Sequence, residues 1–121
     1  MEDSDQLDNK FYKELHGGIT ALILLGVLDK TSEPMYGYQI AKLIGDERED
    51  SSLKQGVLYP VLRSLESGGM LSSIVEPSVS GPPRRYYQIT PVGHSTLGRW
   101  QGIWKQTKNF VDTILEGNGH D

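Results

Sequence analysis

Residues 56–71 of this 121-residue chain, GVLYPVLRSLESGGML, concentrate polar side chains at a spacing that can do chemistry. At helical periodicity Leu58, Val61, Leu62 and Leu65 share one face, and Ser52, Gln55, Tyr59 and Arg63 share the other. The first set needs a core. The second donates and accepts hydrogen bonds and carries one positive charge, which suits the base edges and phosphates of nucleic acid. Lys54 stands at the helix start, where its ammonium and the free backbone N–H groups both favour an anion. Arg63, further along the same face, is the better phosphate candidate, and Arg84 and Arg85, where a hairpin tip begins, are candidates for backbone or minor-groove contact. Lys42, with Lys10 and Tyr12, forms a second tier of phosphate candidates.

Trp100 and Trp104 form the other constellation. Two readings stand. The indoles pack in a core or a subunit contact, or they line a cavity between subunits and stack on a planar aromatic ligand, worth about 1 kcal/mol beyond burial. Catalytic patterns are missing. The chain has no cysteine, and His16, His94 and His120 show no metal-ligand spacing. No paired carboxylates, nucleophile elbow or phosphate loop is present, so neither an enzyme, a metal nor a cofactor is expected.

The chain length is that of one domain with a modest core, a size that often gains stability by pairing. Net charge is −4, but residues 54–90 hold Lys54, Arg63, Arg84 and Arg85 against only Glu66 and Glu76. A duplex responds to such a local positive surface, while acid elsewhere weakens non-specific binding. The acidic, polar first ten residues are unlike a secretory signal. The apolar run at residues 19–28 falls short of the roughly 20 residues a bilayer needs. A cytoplasmic protein without a membrane span is expected.

The elements that must position these residues can be taken in chain order. Residues 1–8 read as a disordered acidic tail, and Asn9 as the cap of a helix running to about Asp29, apolar nearly all round in its second half. Gly17-Gly18 in mid-helix implies close helix contact or a kink. Met35-Tyr36 is a very short strand, followed by a helix over residues 38–45 with Ile40, Leu43 and Ile44 inward and Gln39 and Lys42 outward. A charged loop, residues 46–50, leads to Ser51 or Ser52 as cap of the next helix, in which Pro60 distorts the first turn. Gly68-Gly69 ends that helix. Residues 70–76 and 84–90 are the strands of a hairpin with a long turn-forming loop, Tyr87 and Ile89 inward, Tyr86 and Gln88 outward. Thr90 and Pro91 start a last helix of about 26 residues, roughly 40 Å long, closed by Gly117, with a flexible tail over 117–121. Along it Leu97, Trp100, Trp104, Thr107, Val111 and Ile114 make a heptad seam, widened by Ile103 and Phe110. So long a seam exceeds what so small a domain can bury, and a partner subunit is the simplest cover. The fold class is mainly α with a small β-hairpin (α+β). It is a winged helix-turn-helix over residues 9–90 whose third helix enters the major groove, plus a long C-terminal dimerisation helix over 91–116.

At this point the chain resembles the PadR family of winged-helix transcriptional regulators. YGYQIAKLI (residues 36–44), GVLYPVLRSLESGGML (56–71), GPPRRYYQIT (81–90) and PVGHSTL (91–97) carry the likeness, which covers about residues 10–116. The combination of a G-x-LYP-x-L-x-x-LE helix with a PPR-x-YY-x-x-T hairpin is what makes it specific. Val57 stands where the family usually has Thr or Ser, and Ser64 where a second basic residue is common. The resemblance implies a homodimeric repressor on a palindromic double-stranded operator. Its last helices pack across the two-fold, partly against the partner's first helix, with Leu22, Leu97, Trp104, Val111 and Ile114 as the expected dimer contacts. Family members often respond to small aromatic or lipophilic compounds at or near that interface, and Trp104 stands where drug-binding members carry an interface aromatic. Trp100 and Trp104 are accordingly the ligand candidates. The short C-terminus resembles the branch lacking a larger effector domain. A winged-helix protein-interaction module that has lost tight DNA binding is the alternative, favoured by the acidic net charge, Val57 and Ser64.

Overall fold

The computed structural model describes residues 2–44 and 55–117. Ser51, Ser52, Lys54, His120 and the 46–50 loop lie outside them. The elements are α1 (Glu2–Asp29), β1 (Met35–Tyr36), α2 (Gly37–Ile44), α3 (Gln55–Ser67), β2 (Leu71–Glu76), β3 (Arg84–Ile89) and α4 (Pro91–Glu116). The strands form one antiparallel sheet in the order β1-β3-β2.

The core gathers Leu24, Leu25 and Leu28 of α1, Ile40 of α2, Leu58, Leu62 and Leu65 of α3, Leu71 of β2 and Tyr87 of β3. The apolar face expected of α3 is thus the buried one, with Val61 packed at its edge. Each fully buried leucine contributes about 1.5–3 kcal/mol. By length and composition alone α1 could cross a membrane. Its apolar half instead forms the floor of this core, and its first half carries Asp3, Asp5, Asp8, Lys10, Lys13 and Glu14.

Three expectations need correcting. The helix begins at Glu2, so residues 2–8 are its first turns and Asn9 is not its cap. Acidic side chains in a first turn complement the helix dipole, and Leu7, Phe11 and Leu15 continue one apolar line through it. Leu43 is exposed, because the inward arc of α2 is the i, i+3, i+4, i+7 set Gly37, Ile40, Ala41 and Ile44. Within the chain no neighbour presses on Gly17 or Gly18, since a Cβ at either would meet nothing within 4 Å, so the pair serves no helix contact inside this copy. Pro60 lies well inside α3, beyond its first turn.

Local signals end the helices as expected. After α3, Gly69 takes a φ of 82°. The Met70 amide donates to the Leu65 carbonyl (3.0 Å) and the Gly69 amide to that of Glu66 (2.9 Å), the Schellman pairing. Thr90 caps α4, its hydroxyl accepting from the Gly93 amide (3.0 Å) and donating to the Gly69 carbonyl (2.7 Å). A Cβ on Gly93 would fall 2.1 Å from the Met70 carbonyl oxygen, so only glycine admits this approach of α4 to the start of β2. Gly117 closes α4 at a φ of 64°. His94 and Asp29 join the first turn of α4 to the end of α1 at 2.7 Å.

Candidate nucleic-acid interface

The exposed face of α3 and the β2–β3 wing enclose a cleft of about 500 Å³. Arg63 reaches it from α3, Arg84 and Arg85 from β3, and Tyr36, Gly37 and Tyr59 from the helix-turn-helix side. No described carboxylate lines it, in a chain whose net charge is −4. The three arginines singled out from the sequence therefore converge, whereas Lys10 does not line the cleft and Lys54 lies outside the described residues. Lys42 is exposed in the last turn of α2, away from the cleft lining. Gln55 opens α3. Neutralising phosphate with several cations is the electrostatic basis of duplex binding.

Tyr59 does more than face outward. Its ring lies on the backbone of α2, where a Cβ on Gly37 would fall 2.0 Å from Tyr59 Cε1. Gly37 thus gives the Tyr59 ring its seat against α2, and the dipeptide Tyr36-Gly37 was the sequence signal for it.

Arg84 and Arg85 differ. Alternation along β3 sends them to opposite faces of the sheet. Arg85 lies on the face of Tyr87; its Nη1 donates to Ser73 Oγ (2.9 Å), and the Ser73 hydroxyl donates to Glu66 Oε2 (2.7 Å). This relay ties the wing to the last turns of α3. Burial and the Glu66 carboxylate push the neighbouring Tyr87 phenol above its ordinary value, against the opposing pull of Arg85 and Arg63. Arg84 instead places its guanidinium carbon 4.5 Å from the centroid of the Tyr36 ring. Reading the two arginines as an equivalent pair missed this, although period-2 alternation was available to separate them.

A second concavity of about 580 Å³ lies between α1 and α4. Leu22, Trp100 and Trp104 meet there, with Leu15, Gly18, Ile19 and Ile103. Leu97 and Trp100 also pack against the chain's own core. Beyond Trp100, Trp104, Phe110, Val111, Ile114 and Leu115 are exposed along α4, as are Leu7, Phe11 and Leu15 along α1.

The model of the transcriptional regulator PadR-like family matches residues 24–99. A PadR family transcriptional regulator from Eggerthella lenta is 30% identical, with a TM-score of 0.79 over 98% of this chain and 100% of that one. A PadR family transcription regulator from Clostridium difficile is 28% identical, with a TM-score of 0.65 over 80% of this chain and 98% of that one. An uncharacterised protein of Lysinibacillus sphaericus is 29% identical over 104 residues, 85% of this chain and 93% of that protein. The matched family span takes in the last turns of α1, α2, α3, the wing and the start of α4, and the chain belongs to the PadR-like family of DNA-binding transcriptional regulators, which are not enzymes.

Proposed function

We propose that this regulator is a homodimeric repressor of a palindromic operator. Helix α3 enters the major groove, the wing follows the backbone or minor groove, and α4 pairs with a second copy. The observation that carries this reading is the polarity of the molecule. Arginines gather in one cleft, while an apolar surface on α1 and α4 stands open in the single chain, Phe110 at 66% exposure and Ile114 at 63%. Apolar patches of this kind mark contact sites, and two-fold pairing supplies two identical probes for two half-sites. The α1–α4 groove, lined by Trp100 and Trp104, supports a small planar aromatic effector at or beside that contact. Such a repressor works in the cytoplasm.

Selection of binding sites from random duplexes tests the reading, followed by salt titration on the selected duplex. Six to ten phosphate contacts would lose about 10³–10⁵ in affinity between about 50 and 200 mM salt. Sedimentation should report a dimer at the same protein concentrations. A monomeric species, or an affinity indifferent to salt, overturns the proposal and leaves the protein-interaction reading in its place.

A further inference from the structure

We infer that Tyr36 is a positioning residue, holding the wing arginine Arg84 where it meets a backbone phosphate across the cleft from Arg63. The inference rests on the duplex-binding reading of this cleft.

Tyr36 sits at the junction of the wing and the helix-turn-helix. Its strand is two residues long and pairs with β3 at Met35 opposite Tyr87 and Tyr36 opposite Tyr86. Met35 packs against the core, so alternation turns Tyr36 to the other face of the sheet, the face of Arg84 and Tyr86. There the Tyr36 ring meets Tyr86 edge-on at 5.3 Å and stacks near Tyr38 at 6.4 Å. Its backbone amide donates to Gln39 Oε1 at 3.1 Å. The next residue is Gly37, on which Tyr59 of α3 rests. One side is thus fixed to the recognition unit, and the other carries a guanidinium from the wing.

The stack has a chemical consequence. A guanidinium lying on a ring uses its π-face and leaves its in-plane N–H fork free for two parallel bonds to a phosphate. A competitor stands close by. Glu76 is opposite Arg84 in the β2–β3 register, where cross-strand side chains of opposite charge attract. Among the described residues the two form no ion pair, and Arg84 lies over Tyr36 instead. The ring therefore keeps this cation away from an internal carboxylate and available to an external one.

The test is duplex affinity and its salt dependence, using the full-length chain and the selected duplex. Tyr36→Leu should weaken binding about three- to fivefold, on the scale of an exposed cation–π contact, and flatten the salt slope. Tyr36→Phe keeps the ring and should match wild type. In an Arg84→Ala background, Tyr36→Leu should add nothing. Combining Tyr36→Leu with Glu76→Gln should recover part of the loss, which a merely structural role would not show. If Tyr36→Leu does not fold, Arg84→Lys takes its place: it keeps the charge, loses the flat stack, and should weaken binding to a similar degree. An additive effect of Tyr36→Leu on Arg84→Ala, or unchanged binding by Arg84→Lys, overturns the inference. Weakening by Arg84→Ala with none by Tyr36→Leu removes Tyr36 alone and leaves the repressor reading standing. A wild-type chain that binds no duplex overturns both.

Discussion

Two concavities among the described residues are of similar size and opposite chemistry. The α3–wing cleft, about 500 Å³, is lined by three arginines, tyrosines and the wing's serines and prolines. The α1–α4 groove, about 580 Å³, is lined by two tryptophans, isoleucine, leucines and one glutamate. Size therefore says little about what either receives. Charge left unneutralised in a cleft calls for an anion from outside, whereas apolar surface left open calls for another apolar surface. The two differ also in how they are built. The cleft is braced by contacts within the chain, from Tyr59 on Gly37, Arg85 on Ser73 and Arg84 on Tyr36. The groove has bracing on one side only, where Leu97 and Trp100 reach the core, while Ile103, Phe110, Ile114 and Leu115 further along α4 are mostly exposed.

Breaking the apolar side should have the largest effect. Ile114→Glu puts a charge into the proposed two-fold contact and should shift sedimentation from dimer to monomer. Operator affinity should then fall about 10²-fold or more, as the second half-site ceases to be intramolecular. Trp104→Ala should lower affinity for planar dyes about tenfold, the loss of a large stacked ring, measured by quenching of the remaining tryptophan. The slope of duplex binding against salt should stay as it was. On the charged side, the two wing arginines should part company. Arg84→Ala should reduce the salt slope by about one phosphate contact, its exposed contact with Tyr36 costing at most about 0.5–1 kcal/mol of stability. Arg85→Ala should cost up to about 1 kcal/mol in a denaturant titration, through the lost bond to Ser73. Equal behaviour of the two would refute the split drawn by the sheet alternation.

The smallest effect concerns pH. In the folded chain Tyr87 holds its proton more tightly than in the unfolded chain, through burial first and then the Glu66 carboxylate. Its contribution is intact below the ordinary tyrosine value of about 10 and is lost as pH rises through the higher folded value. Tyr87→Phe should flatten that alkaline decline in stability, followed by thermal denaturation at increasing pH.

Much of this arrangement is legible without coordinates, wherever a short signal decides it. Thr90-Pro91 and Gly117 bound α4, Gly68-Gly69 ends α3, and the spacing of Leu58, Leu62 and Leu65 picks its buried face. Other features lack such signals. Acidic residues read equally as a loose tail or as the first turn of a helix, and at residues 2–8 the helix prevailed. Leu43 is apolar but sits off the arc that an eight-residue helix presents inward. The meeting of Tyr36 with Arg84, and of Tyr59 with Gly37, depends on how distant segments are folded together. In this chain the candidate residues were readable one by one, while their division of labour was not.

One joint has a mechanical side. The Thr90 hydroxyl grips the turn behind α3, and Gly93 seats the root of α4 directly on the Met70 carbonyl, with no atom to spare between them. A rod of 26 residues anchored so tightly behaves as a lever whose fulcrum is that joint. The root of α4 therefore has little room to shift against the hairpin and the end of α3, and what freedom the helix has lies further along its length.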